Sequence, residues 1–528
     1  MRFLRMNFSQ ARVRMVQAGA VLAAVALVAG CGNNYRPVVT PTNPSGPPPQ
    51  VQSLAVVVTA PSPTTPGIAT VIDYAGDSIM ATATIGPGPT AFTLDETGYN
   101  GYTINSNGTL TNIPVTTSLQ TKNIIYSTLT STAKPLNLFS PSSGLWVADL
   151  CATIPPSTAC ENATDVFTGI PETLMPSIPL APTPVMVVGP GISGARNFAL
   201  SQNITTTPTG MECNNLPTSQ PLGVVTPIET ASKTTDTPIT VGKCPVYAVE
   251  SSDNQRLFVI NRGSDTISVI NAPFGTLNDQ CPPPTGCVNQ AGKTYFSHPT
   301  LPLSQAALNA ANAPSNCNFT SDPTCSLPAD GGLPLTAGPV YAEYNAAKNL
   351  LVVADYDSGT ISVIDVTLDN YGNDSSTFGT TYTVAVGNNP ASVTVLYDGS
   401  RAYTANQADQ TVTIANLNSY TVEKTLPVTG YPRTVVSTQN SAYGKVYVAS
   451  PNSNYLTIIR TDQDIVDTTL LLEGDIVDVR VTSQNGGGGN SNNVSRIPGY
   501  GQPCNLPPAV MTSVYGAGYT LADCKKQP

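Results

Sequence analysis

From residue 51 to about residue 484 the chain consists of short runs in which apolar residues alternate with Thr or Ser, each run ended by Gly, Pro, Asn or Asp. A period of two places successive side chains on opposite faces, so these runs predict β-strands, and almost no stretch has helical period. One four-residue strand core recurs: Tyr102-Thr103-Ile104-Asn105, Trp146-Val147-Ala148-Asp149, Phe198-Ala199-Leu200-Ser201, Phe258-Val259-Ile260-Asn261, Val352-Val353-Ala354-Asp355, Tyr403-Thr404-Ala405-Asn406 and Tyr447-Val448-Ala449-Ser450. Each core follows a proline (Pro89, Pro135, Pro184, Pro245, Pro339, Pro390, Pro432) by 13, 11, 14, 13, 13, 13 and 15 residues in turn. A turn and a second strand come next, as in Thr266–Ile270, Thr360–Ile364 and Thr411–Ile414, and a further strand leads through Gly to the next proline.

Each unit therefore supplies about four antiparallel strands. Its usual length, 42 to 61 residues with one unit of 94, is that of a propeller blade. The expected fold is all-β: a closed β-propeller of four-stranded blades. The N-terminal segment offers Val56–Thr59, Thr70–Asp73 and Ile79–Ile85 as strands but no innermost strand before them. The segment Asp475–Thr482, in which Val477, Val479 and Val481 alternate with Asp478 and Arg480, offers an innermost strand without a blade. Pairing the two gives a split closing blade and removes two exposed sheet edges. Seven whole units and one split unit make eight, with seven as the alternative because the unit at Pro184 has the weakest pattern.

The repeated cores resemble the YVTN-repeat, lactonase-like β-propeller family, named for a Tyr-Val-Thr-Asn strand core; the resemblance covers roughly residues 51 to 484. It implies that the residue opening each core packs between blades and that the closing Asn or Asp caps the following turn. Ser201 and Ser450 depart from the second rule. The active-site His and acidic positions of the propeller lactonases have no counterpart that can be assigned in this sequence.

The N-terminus alters the picture of where the chain works. Arg2, Arg5, Arg12 and Arg14 precede an apolar stretch from Val16 to Gly30, too short to span a bilayer and suited to a secretory signal, so residues 1–30 read as a signal peptide. The end of that stretch, Val28-Ala29-Gly30-Cys31, resembles a bacterial lipobox, which implies acylation of Cys31 and a membrane partner through that lipid. Gly32 and Asn33 follow, without the Asp that marks inner-membrane retention, so the outer membrane is the expected address. Residues 31–50, rich in Pro, Asn and Thr, read as a tether, and residues 485–528 as a Gly/Asn linker with a C-terminal extension.

Apart from Cys31, ten cysteines remain, an even number in an exported chain, and they read as disulfides rather than metal ligands. Nearest neighbours give Cys151 with Cys160, Cys213 with Cys244, Cys281 with Cys287, Cys317 with Cys325, and Cys504 with Cys524, although spacing alone does not fix connectivity. Four of them fall in an insertion near 272–338 and two in a smaller one near 150–165. Disulfide-stapled loops on a rigid scaffold are a usual place for binding.

Charge and motif content narrow the chemistry. With 23 Lys+Arg against 33 Asp+Glu, a formal charge of −10 and only 11% charged residues, the chain lacks the basic clusters a nucleic-acid partner requires. No Cys-x-x-Cys pair occurs and His298 is the single histidine, so zinc, haem and copper sites lack their ligands, and no cofactor is expected. Asp355-Tyr356-Asp357-Ser358-Gly359 looks like the opening of a calcium loop but sits where every unit places a turn. His298 has no Ser, Cys or carboxylate motif beside it. The expectation is an envelope lipoprotein whose propeller is a non-catalytic binding or scaffold module for a protein, glycan or cell-wall component. The alternative is a lactonase-like hydrolase with its site at the channel mouth, and a surface coat is a third possibility.

Overall fold

The computed structural model describes residues 54–482, apart from 75, 116–125, 130–131, 142–143, 153, 155–158, 169–172, 190–195, 206–212, 214–219, 283–284, 290, 313–332 and 439–443. Eight antiparallel sheets follow one another, and the first strand of each packs against the first strand of the next, closing a ring. The fold is an eight-bladed β-propeller. Blade 1 joins Leu54–Ala60, Pro66–Asp73 and Ser78–Pro87 to Asp475–Val481, which is its innermost strand. Blades 2 to 8 begin with Pro89–Leu94, Pro135–Phe139, Pro184–Val188, Pro245–Glu250, Pro339–Asn345, Pro390–Val395 and Thr434–Ser437. The unit at Pro184 thus forms a full blade, and eight, not seven, is the count.

The recurring proline has a clear place. Pro89, Pro245, Pro339 and Pro390 each stand opposite the closing residue of the core (Asn105, Asn261, Asp355 and Asn406), and the register shifts immediately afterwards. A strand start beside a bulge is where the missing N–H of proline costs the ladder least. The residue opening each core reaches the following blade: Phe258 stacks 6.5 Å from Tyr344, the Tyr403 hydroxyl bonds Asp464, and Lys233 lies 4.6 Å over the Trp146 ring. Burying one such side chain completely contributes roughly 1.5–3 kcal/mol.

The closing residue does more than cap a turn. Asn406 Nδ2 donates to Thr411 Oγ1 at 3.1 Å and to Thr413 Oγ1 at 2.7 Å, and the Thr413 hydroxyl donates to Val386 O at 2.9 Å, at the end of the preceding blade. Asn105 does the same with Thr109 and Thr111, and Asn261 with Thr266 and Ser268. The N–H groups of Gly86 and Gly242 donate to Thr111 and Ser268 in turn. In blade 6 the same place is taken by Asp355, whose Oδ2 accepts from Ser362 at 2.6 Å and Thr360 at 3.3 Å. Gly86, Gly242 and Gly387, each before a new blade, lie against this amide: a Cβ on Gly387 would stand 2.7 Å from Asn406 Cγ. Ser201 and Ser450 are too short to make the link, and their buried hydroxyls have no hydrogen-bond partner among the described residues.

The 272–338 insertion is subtler than a single loop. Residues Thr276–Leu277 and Thr300–Pro302 both pair with the third strand of blade 5, so its outermost strand is interrupted and then resumed. The chain leaves at Asn278, whose N–H donates to Val269 O, and returns at Pro299, whose carbonyl accepts from Val269 N. Between them lies an excursion of residues 279–298 with a small hairpin, Cys287–Val288 against Thr294–Tyr295. A helix, Gln305–Asn312, follows the resumed strand. Near 150–165, the second and third strands of blade 3 extend to Ala152 and from Glu161, leaving only the turn between them as insertion.

Gly387→Ala is expected to cost about 1–3 kcal/mol in urea unfolding by overpacking against Asn406. Asn406→Ala is expected to cost about the same by leaving two hydroxyls without their donor. In the double variant the two losses should fall short of their sum, because the Cβ then occupies vacated space.

Candidate functional site

Two places deserve weighing: the centre of the ring and the mount of the blade 5 excursion. At the centre, each first strand places one residue opposite the third position of its blade's core. Among these are Asn137, Met186, Tyr247, Tyr341, Ser392 and Thr434, with Asp478 in the same place opposite Val58. Two residues along lies a second layer that includes Glu343, Thr394 and Arg480. Every residue of both layers named here is buried.

Arg480 Nε and Nη2 donate to Asp478 Oδ2 at 3.1 and 2.8 Å. Burial alone would disfavour the guanidinium charge, but the Asp478 carboxylate and the phenols of Tyr341 and Tyr247 outweigh it, so the Arg480 pKa is raised. Tyr247 and Tyr341 belong to blades 5 and 6, across the ring from blade 1, and their rings lie 4.5 Å apart. Arg480 of blade 1 and the two tyrosines thus interact across the ring, and all three are buried. Beside them, Glu343 Oε1 accepts from Val395 N at 3.1 Å, Thr394 and Ser437 hydroxyls lie 2.9 Å apart, and Ser392 Oγ donates to Arg433 O. Side chains from blades 6, 7 and 8 thus sew their first strands together. This arrangement is a packed hub.

The second place holds the single histidine. His298 Nδ1 lies 3.0 Å from Asp374 Oδ2, a carboxylate 76 residues away on the loop between the third and fourth strands of blade 6. The same oxygen accepts from His298 N at 2.9 Å and Asn278 Nδ2 at 2.8 Å, while Arg256 Nη2 and Nε hold Oδ1 at 3.0 and 3.3 Å. Asn278 and His298 are the two sides of the excursion's neck, so Asp374 closes that neck like a clasp. Both carboxylate oxygens are satisfied by donors, Asp374 is buried, and Phe378 stacks on the imidazole at 5.4 Å. The Asp374 carboxylate thus fixes the orientation of the His298 ring as well as the backbone of the neck. The expectation that His298 has no carboxylate beside it is corrected here: sequence distance concealed Asp374. The pairing of a lone His with an Asp of the next blade has no local sequence signal.

The clasp mounts an exposed surface. At the end of the ring that carries the first-to-second and third-to-fourth strand turns, Phe274 is 73% exposed, Val288 68% and Tyr371 50%. The Asp369 carboxylate accepts from Tyr371 N and Asn373 N, and against the effect of burial these donors, together with Asn289 of the hairpin, hold its pKa below the ordinary range. Arg196 Nη1 holds Pro273 O at 2.6 Å, fixing the turn that carries Phe274. Rigid backbone and solvated apolar side chains are what a recognition surface needs.

The cysteines are placed as follows. Cys151 is bonded to Cys160, Cys213 to Cys244, and Cys281 to Cys287, the last at the base of the excursion. Cys31, Cys317, Cys325, Cys504 and Cys524 lie outside the described residues. Oxidised cysteines belong to oxidising compartments, as expected of an exported protein. Asp355 points into its own blade toward Ser362 and Thr360, so the Asp355–Gly359 segment is a blade turn. Among the described residues no helix is long and apolar enough to cross a membrane.

Blade 3 differs from the other stapled blades. Asp165 stands where blades 2, 5, 6 and 7 hold a hydroxyl, and it interacts with Asp149, the closing residue of the core. Burial first, then Asp149, push Asp165 up to about 7, against the hydrogen bond from Ser177. Burial, reinforced by Asp265 and Asp357, likewise pushes Asp355 up to about 8. Burial and the charge of Asp253 raise Glu250 well above the ordinary range; among the described residues neither of its carboxyl oxygens has a hydrogen-bond partner.

A scan of protein-family models finds no match to the chain, and a search of curated proteins finds none either. Solved structures do match. Apo AztD from Citrobacter koseri aligns at 11% identity and TM-score 0.51, covering 83% of this chain and 98% of that one. A second Citrobacter koseri AztD structure aligns at 10% identity and TM-score 0.50, with 82% and 98% covered. The periplasmic gluconolactonase PpgL of Pseudomonas aeruginosa aligns at 14% identity and TM-score 0.43, with 82% and 99% covered. At these identities the AztD likeness shows the propeller fold.

Two measurements check the site. Asp374→Ala should expose the 279–298 excursion to limited proteolysis while the blades stay resistant, whereas His298→Gln, which keeps the backbone bond to Asp374, should leave the protein as resistant as the parent. The second concerns pH. Folded, Asp355 and Asp165 keep their protons to about 8 and about 7, while unfolded they release them near the ordinary 3.8. Stability from these groups is therefore full below about pH 4 and falls as pH rises to 8, by up to about 1.4 kcal/mol per pH unit per group. Urea unfolding at pH 5, 6.5 and 8 should show that decline, and Asp355→Asn should flatten it.

Proposed function

We propose that this protein is an envelope lipoprotein, anchored through acylated Cys31 in the outer membrane, whose propeller is a non-catalytic binding module for a protein, glycan or cell-wall component. The observation that carries this reading is the buried hub: the side chains named in its two layers, Arg480, Asp478, Tyr247 and Tyr341 among them, are withdrawn from solvent. A substrate at the axis would have to displace a buried ion pair, and removing a partner from such a pair costs about 3–5 kcal/mol. The accessible chemistry lies instead on the clasped rim with Phe274, Val288 and Tyr371. Propellers host enzymes and scaffolds alike, so the site and not the fold supports this reading.

The anchor and the rim have separate tests. Cys31→Ser should move the chain from the membrane to the soluble fraction; unchanged membrane association would refute the lipid anchor. Cross-linking in native envelopes should capture a stoichiometric partner that is lost when residues 279–298 are replaced by a short Gly linker across the neck. Capture should survive Arg480→Met. Hydrolysis of a sugar lactone by the pure protein, abolished by Arg480→Met, would favour the hydrolase instead.

A further inference from the structure

Every propeller exposes the outer edge of each blade, and an unpaired edge is a template for another strand. Most of the outer edges here are blunted. Those of blades 3 and 5 are interrupted, into Thr173–Leu174 with Ile178–Pro179 and Thr276–Leu277 with Thr300–Pro302. Among the described residues blade 2 has only Tyr126–Thr128, and blades 4 and 6 have five residues each. Blade 7 carries Glu423 and Lys424 on its edge, and blade 8 carries Asp467.

Blade 1 is the exception. Its outer strand Ser78–Pro87 runs for 10 residues, the longest strand described, with no charged residue and with Ile79 and Met80 both nearly half exposed; its register on Pro66–Asp73 shifts at Met80 and again beyond Thr84, leaving Ala81–Thr84 as the regular run. Its sequence, Ile79-Met80-Ala81-Thr82-Ala83-Thr84-Ile85, reads almost the same in both directions about Thr82. In an antiparallel pair with a second copy centred on Thr82, Ala81 meets Ala83 and Thr82 meets itself within the regular run, with Met80 facing Thr84 beside it; Ile85 is buried in its own propeller and takes no part. That is the self-complementary pattern of a two-fold interface, where each pairing occurs twice. A chain with a formal charge of −10 meets its copy there without like charges opposed, since the nearest acid, Asp77, is held by Lys445 at 2.6 Å.

We propose that the Ser78–Pro87 edge pairs with the same edge of a second copy, joining two propellers through a continuous sheet centred on Thr82. The occupant is a copy of this chain because the strand is complementary to itself in length, pattern and charge. Chains tethered to one membrane would meet at raised effective concentration, which favours such an interface.

The test is sedimentation equilibrium on the full chain carrying Cys31→Ser, so that neither lipid nor detergent holds copies together. A dimer at micromolar concentration is expected. Thr82→Lys and Thr82→Glu should each weaken it at least tenfold, because like charges then face each other across the axis, with thermal unfolding confirming that both fold. An equimolar mixture of the two variants should restore the dimer, since Lys then opposes Glu. A monomeric parent, a dimer indifferent to both substitutions, or a mixture that stays monomeric would each overturn the proposal. A parent that dimerises only after removal of residues 483–528 would also overturn it, by making the tail the occupant of the edge.

Discussion

The ring depends on one small polar contact, repeated. An amide at the end of a strand core binds two hydroxyls of the next strand, and a glycine from the preceding blade lies against that amide. Hydrophobic packing between blades is large but non-directional. It does not fix how far one sheet rotates about its neighbour. The Asn406–Thr413–Val386 chain does so, because it ties the second and third strands of one blade to the exit of the blade before it. Formed inside a buried layer, such bonds have few alternatives, and that exclusivity gives the fold its register. Where the amide becomes Asp355 or the pair Asp149 and Asp165, the geometry persists and the contact gains a proton.

The architecture was largely legible in the sequence, for reasons that can be stated residue by residue. The fixed offset from proline to core reflects one length of strand and turn, since Pro390 and Asn406 face each other across one hairpin. The split blade was legible because Asp475–Val481 is an innermost strand by pattern with no partners after it, and Leu54–Ala60 lacks one before it. The blade at Pro184 was hardest to recognise because Ser201 breaks the motif that makes the others visible.

The site was less legible. Short-range disulfides follow from adjacency along the chain, and Cys281 with Cys287 needs no tertiary knowledge. The Asp374 clasp joins a histidine to an acid of another blade, and the hub joins Arg480 to tyrosines 233 and 139 positions earlier in the chain, at Tyr247 and Tyr341. Periodicity reports which face is buried and not which distant groups share that interior. A lone histidine and a solitary arginine in a valine-rich strand therefore looked ordinary until the ring brought them together with their partners.

The split blade has a mechanical side. Leu54–Ala60 is hydrogen-bonded along both flanks, to Pro66–Asp73 on one and Asp475–Val481 on the other, and Leu54 N and O are both held by Thr482. A pull applied at Leu54 along the strand loads all these bonds together, in shear, instead of opening them one after another as in a zipper. The point where the chain enters the ring is thus a strand that resists force along its length. A propeller closed by its own last strand also cannot shut until that strand has arrived, so during export the ring stays an open arc until nearly the whole of it has crossed.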